Sequence, residues 1–243
     1  MGHDWVLLRA TDATPAEWHA RLAPGEQAWA AAFPTDKRRH DWTLGRAAGK
    51  AAVQALLGRE GQGKLEPGAI VLDALPSGAP RLRPVDDGPP VVVSISHGHG
   101  LAAAWALRAG PSGGLPGIDL ERVRPRKAGT FRFYLTPEER APLLALAPAG
   151  AGESPGPRDD LAVRLWAVKE AAFKALRPPR GLGLLDVRVE VAGDGQARVA
   201  YAGGLRARAE TLGVRRVRAA WCRVADVVIA WVEAVGASAP LDE

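Results

Sequence analysis

Hydrophobic and polar positions along the 243-residue chain switch between two periods, and the changeovers outline the elements. Residues 5–8 form an apolar run of strand length. Thr14-Pro15-Ala16-Glu17 reads as a helix start, with Pro in the first turn and Glu after it, and Pro24-Gly25 interrupts that helical stretch. A longer helix is predicted from residue 36, with Asp36 as its cap, to about residue 57, just before Gly58. Its apolar residues Leu44, Ala48, Ala51 and Ala55 recur at spacings of 4, 3 and 4. Arg39, Arg46 and Lys50, spaced 7 and 4, form a basic stripe on roughly the opposite face, which by itself reads first as an ordinary solvated face. Residues 70–72, 91–95 and 101–107 read as strands between Pro- and Gly-rich turns, the last two joined by Gly98-His99-Gly100.

Pro111-Ser112-Gly113-Gly114 then breaks the pattern and marks a boundary between an N-terminal half, 1–110, and a C-terminal half, 111–243. Beyond it come a strand carrying Asp119, a helix over 136–146, a Pro- and Gly-rich loop over 147–158 and a second long helix over 159–176. Strands are expected near 187–191, 197–201, 217–224 and 227–234. Each half contains a long helix and a Trp-bearing apolar strand, around Trp105 and Trp231. The expected fold class is α+β: two pseudo-symmetric halves, each an antiparallel sheet of about three strands packed on a long helix, with a site where they meet.

Composition narrows the partners. Thirty-two Lys and Arg against 27 Asp and Glu give a formal charge of +5 and a pI near 9.8, which suits an anionic partner. No tract is basic enough for a nucleic-acid arm; Arg215-Arg216-Val217-Arg218 reads as a solvated turn, so no nucleic acid is expected. The first ten residues do not read as a signal peptide, and the apolar run at 227–232 is too short to span a bilayer, so the expectation is a cytoplasmic protein without a membrane partner. The single cysteine, Cys222, excludes an internal disulfide.

Chemistry concentrates in two strings. In Gly117-Ile118-Asp119-Leu120-Glu121, a strand period puts the Asp119 and Glu121 carboxylates on one face. In Trp166-Ala167-Val168-Lys169-Glu170-Ala171-Ala172-Phe173-Lys174, a helix period makes Glu170 and Lys174 neighbours. Lys169 falls inside the apolar stripe of Ala162, Leu165, Trp166, Phe173 and Leu176, with Glu170 at its edge. From the helix alone, a buried ion pair and a cation-binding site are both open. Asp-x-Glu on a strand favours the cation site, since Mg²⁺ takes a few carboxylates together with water and substrate phosphate. Ser96-His97, at the end of an apolar strand, can grip phosphate by hydroxyl and imidazole.

These motifs, with Ser77-Gly78-Ala79-Pro80 upstream and Phe133-Tyr134-Leu135-Thr136-Pro137-Glu138-Glu139 between the two strings, resemble those of the 4′-phosphopantetheinyl transferases. The likeness is to the surfactin-synthetase type, in which one chain holds both halves, and it spans roughly residues 35–235. The resemblance implies transfer of the 4′-phosphopantetheine arm from coenzyme A to a serine of an acyl or peptidyl carrier protein, releasing adenosine 3′,5′-bisphosphate. It implies Asp119, Glu121 and Glu170 as Mg²⁺ ligands, Glu170 also as general base, and Lys174 on the coenzyme A pyrophosphate. Ser96 and His97 would hold coenzyme phosphates, and Arg39, Arg46 and Lys50 would lie on the nucleotide-binding helix. A monomer is expected. Ala79 stands where the family often has lysine. A non-catalytic coenzyme A- or carrier-binding relative, and a Mg²⁺-dependent pyrophosphate hydrolase, are the alternatives.

Overall fold

The computed structural model describes residues 4–63, 65–75, 78–84, 88–110, 113–146 and 154–237. Its first sheet contains β1 (Val6–Arg9), β2 (Leu72–Ala74), β3 (Pro80–Leu82), β4 (Val91–Gly98) and β5 (Leu101–Arg108), ordered β1-β5-β4-β3-β2. The second contains β6 (Gly114–Arg122), β7 (Val187–Val191), β8 (Gln196–Tyr201), β9 (Arg216–Val224) and β10 (Val227–Val235), ordered β6-β10-β9-β8-β7. The strand pairings are antiparallel. The α+β class and the two-half plan hold, but each sheet has five strands rather than about three. The short β3 escapes a periodicity reading because three residues carry too little alternation to detect.

Each sheet carries one long helix: α3 (Asp36–Arg59) on the first and α5 (Pro157–Leu176) on the second. Strand alternation sorts the side chains into layers. Val91, Val93 and Ile95 of β4 and Ala102, Ala104 and Ala106 of β5 face α3, whereas Ala103 and Trp105 face the other sheet. There they join Ile118 and Leu120 of β6 and Val227 and Ile229 of β10 in a core shared by the two halves, with Trp5 and Trp231 tilted together at 5.7 Å.

Local differences from expectation have physical causes. Thr35, not Asp36, caps α3, its hydroxyl accepting from the Arg38 N–H at 3.3 Å. Pro24 does not break the chain but opens α2 (Pro24–Ala31), since Pro is well suited to the first turn. α2 and α1 (Pro15–Ala20) pack on α3, so the basic stripe is not a solvated face: Arg46 and Lys50 are buried. Ala51 and Ala55 are half-buried, while the core face runs through Leu44, Ala48, Ala52, Val53 and Leu56. The helix α4 (Pro137–Ala145) forms where periodicity puts it, and α5 starts at Pro157. The predicted 147–158 loop lies mostly outside the described residues, as do Ser77, Pro111 and Ser112. A short helix, α6 (Gly203–Thr211), begins on two glycines and so shows no start signal.

Candidate active site

The site lies where the two halves meet, and a glycine decides how closely its parts approach. Gly117 in β6 sits under α5, where a Cβ would lie 1.8 Å from the Ala171 carbonyl oxygen. The absence of a side chain there lets α5 bring Glu170 and Lys174 down over the strand carrying Asp119 and Glu121. Lys174 Nζ donates to Asp119 Oδ1 at 2.6 Å and to the Ile118 carbonyl at 3.2 Å. Asp119 is buried, and Ser96 Oγ donates to the same Oδ1 at 2.9 Å. The second oxygen, Oδ2, is buried and has no hydrogen-bond partner.

Glu121 is held by its own pair of donors. Trp166 Nε1 reaches Oε1 at 3.1 Å and Arg126 Nη2 reaches Oε2 at 3.3 Å. Arg126 lies 5.8 Å over the Trp166 ring, and Tyr134 meets that ring edge-on at 4.7 Å. Burial and the neighbouring Asp119 carboxylate push Glu121 upward from the ordinary carboxylate value. Glu170 is also raised, first by burial and then by Asp119, with Glu121 adding to the effect and Lys174 opposing it. The three predicted carboxylates therefore feel one another's charge, although no three His, Cys, Asp or Glu side chains among the described residues form a ready-made metal-holding group. The donor set fits a hard cation: oxygen ligands only, mutual repulsion to relieve, and one orphaned buried oxygen on Asp119.

The other predicted residues fall into two groups. Arg46 is buried with its guanidinium 4.9 Å over the Trp42 ring, and its Nη1 has no partner. His97 packs against Gly45, where a Cβ would lie 2.6 Å from its Cδ2. Burial holds its pKa below the ordinary value, helped by the positive charges of Lys174, Arg46 and Lys37 and opposed by Asp41. Lys50 needs correction. Its side chain is 1% exposed, paired with Glu26 at 2.5 Å and bonded to the Pro67 carbonyl at 2.9 Å, so it holds the N-terminal helices together and offers no free ammonium. Arg39 is similarly engaged with Asp36 and with the carbonyls of Ala30 and Phe33.

Beside the carboxylates a cavity of about 270 Å³ opens between the halves, lined by Pro80, Val93 and Ile95 on one side and Phe173, Lys174 and Arg177 on the other. Sequence reasoning missed Arg177. It follows the lysine of the motif by three residues, adopts φ 45°, and donates to the Pro80 and Val93 carbonyls at 3.0 and 2.9 Å. Burial lowers its pKa to about 10.

Residues 116–232, which contain every carboxylate of this site, match the family model of the 4′-phosphopantetheinyl transferase superfamily. The match takes in most of the C-terminal half of the chain. No curated protein matches the chain. Solved structures similar to about half of the chain include three holo-acyl-carrier-protein synthases. That of Thermotoga maritima is 18% identical, with 50% of this chain and 62% of that one covered at a TM-score of 0.39. The Plasmodium yoelii enzyme is 20% identical over 51% of this chain and 95% of its own, at 0.40. The Helicobacter pylori enzyme, solved in complex with coenzyme A, is 18% identical over 49% and 97%, at 0.37.

Proposed function

We propose that the protein is a single-chain, two-half 4′-phosphopantetheinyl transferase that moves the phosphopantetheine arm of coenzyme A onto a serine of an apo carrier protein. The observation that carries this reading is the buried Asp119 with its free Oδ2, grouped with Glu121, Glu170 and Lys174 beside an inter-half cavity, within a segment that matches the superfamily.

In this reading the carrier serine oxygen bonds to the β-phosphorus of coenzyme A, and the bond from that phosphorus to the bridging oxygen breaks. Adenosine 3′,5′-bisphosphate leaves, and the serine proton goes to Glu170. Glu170, whose charge is felt by Asp119, Glu121 and Lys174, is the base that this reading assigns. Lys174 places a fixed ammonium beside the pyrophosphate, where negative charge grows as the bond breaks. Arg46, with an unpartnered guanidinium nitrogen, is suited to a coenzyme phosphate. His97 would donate a ring N–H to the same group. Asp119, Glu121 and Glu170 would hold Mg²⁺, which when bound offsets charge on the pyrophosphate oxygens.

The test is incubation with coenzyme A, Mg²⁺ and several apo carrier proteins, followed by intact-mass spectrometry. A carrier mass gain equal to the phosphopantetheine arm is expected, lost in Glu170→Gln and Asp119→Asn while both remain folded. Binding of coenzyme A without any modification would mark a binding module instead. Release of adenosine 3′,5′-bisphosphate without a carrier would mark a hydrolase.

A further inference from the structure

The two oxygens of Asp119 are treated very differently. Oδ1 takes both Lys174 Nζ and Ser96 Oγ, while Oδ2 is buried with nothing bonded to it. Ser96 belongs to β4 of the first half, so an N-terminal side chain reaches across to a carboxylate of the second half. It does so along a seam. β6 is the edge strand of its sheet, and its outward N–H groups are met by serine hydroxyls of β4: Ile118 N donates to Ser94 Oγ at 3.0 Å and Leu120 N to Ser96 Oγ at 3.2 Å.

Proton inventory decides what Ser96 has left to offer. A backbone N–H can only donate, so the Ser96 oxygen accepts from Leu120. A carboxylate paired with an ammonium can only accept, so the single hydroxyl proton of Ser96 goes to Asp119. Phosphate oxygens that face such a site also need a donor, and none remains. The expectation that Ser96 grips a coenzyme phosphate therefore conflicts with the hydroxyl's own bonds.

We propose that Ser96 is a positioning residue for Asp119: from across the seam it fixes Oδ1, so that Oδ2 is presented to the bound cation. The proposal rests on the reading of Asp119, Glu121 and Glu170 as Mg²⁺ ligands. It makes the cation site of the second half depend on the docking of the first, because its orienting hydroxyl comes from β4. Ser94 offers a natural contrast. Its hydroxyl takes the Ile118 N–H two residues away and has no bond to a carboxylate, so it holds the same seam without orienting Asp119.

The full chain and its Ser96→Ala, Ser96→Thr and Ser94→Ala variants separate these roles. Mn²⁺ affinity is read by electron paramagnetic resonance with coenzyme A present, and coenzyme A affinity by calorimetry with all metal chelated. Ser96→Ala is expected to weaken Mn²⁺ binding about 10- to 100-fold, the usual effect of removing a group that orients a metal ligand. Its metal-free coenzyme A affinity stays at the parent value, Ser96→Thr restores Mn²⁺ binding, and Ser94→Ala leaves it unchanged. Loss of metal-free coenzyme A affinity in Ser96→Ala would make Ser96 a phosphate ligand and overturn the proposal. Equal Mn²⁺ losses in Ser94→Ala and Ser96→Ala would reduce it to the seam alone, and a parent protein that binds no Mn²⁺ would also sink it. A parent that binds Mn²⁺ in a Ser96-dependent way yet modifies no carrier supports the positioning role and overturns the transferase reading instead.

Discussion

Gly117→Ala is the sharpest test of how the site is assembled. The added methyl carbon would stand 1.8 Å from the Ala171 carbonyl oxygen, 2.8 Å from Ala175 N and 2.9 Å from the Ala171 carbonyl carbon. All three atoms are backbone of α5, so no side-chain rotation relieves the clash. Restoring ordinary contact, from 1.8 Å to 3.4 Å, requires α5 to retreat from β6 by about 1.6 Å. Glu170 and Lys174 flank Ala171 on that helix, and the 2.6 Å Lys174–Asp119 contact opens with the same movement. Overpacking of this kind costs about 1–3 kcal/mol. For a chain of this length that is a Tm decrease of roughly 2–12 °C. A displacement of about 1 Å at reacting groups commonly costs on the order of 100-fold in rate, so transfer should fall at least that far while the fold persists. Carrier modification followed by intact mass, with calorimetry and circular dichroism on the same samples, reads both effects. Gly129→Ala, with no atom within 4 Å of the new Cβ, is the control. A Gly117→Ala protein with the parent's rate and Tm would refute the claim that close approach of α5 builds the site.

Two further outcomes concern buried charge. Lys169 is fully buried, paired with Glu139 at 2.8 Å and donating to the Val187 and Leu184 carbonyls, so Glu139→Gln should cost about 3–5 kcal/mol. Lys169→Met should cost less, because Glu139 keeps the backbone N–H groups of Thr136 and Val189, and denaturant titration of the two variants would expose a wrong ordering. Glu170 is raised above its ordinary value of 4.5, so in metal-free protein its ionisation opposes folding once the pH exceeds that raised value. The unfolded chain loses this proton first, so stability falls as pH rises from 4.5 through the folded value. Glu170→Gln, which mimics the neutral acid, should therefore have a higher Tm than the parent at neutral pH in chelator, with the gap closing in acid. A gap that stays constant with pH would contradict the assigned shift.

The chain's local periods determined a good deal by themselves. A strand repeat of two residues places Asp119 and Glu121 on one face, and a helix repeat places Glu170 beside Lys174 while sending Lys169 into the apolar stripe; these relations hold within single elements and need no partner. The helix α3 and the two-half plan were legible for the same reason. Which donor met which acceptor between elements was decided by the tertiary structure. Lys50 looks like part of a solvated stripe until α2 brings Glu26 over it. Ser96 looks like a phosphate ligand until β6 presents a backbone N–H and a carboxylate to its hydroxyl. Arg177 gives no sign of its role until the first half offers it two carbonyls. Gly117 reads only as the first residue of a strand string, yet its lack of a side chain lets α5 touch β6. The physical reason is that contacts are made in space, whatever the distance along the chain: hydrogen bonds form over about 3 Å, and the room a glycine leaves matters only once another backbone lies against it.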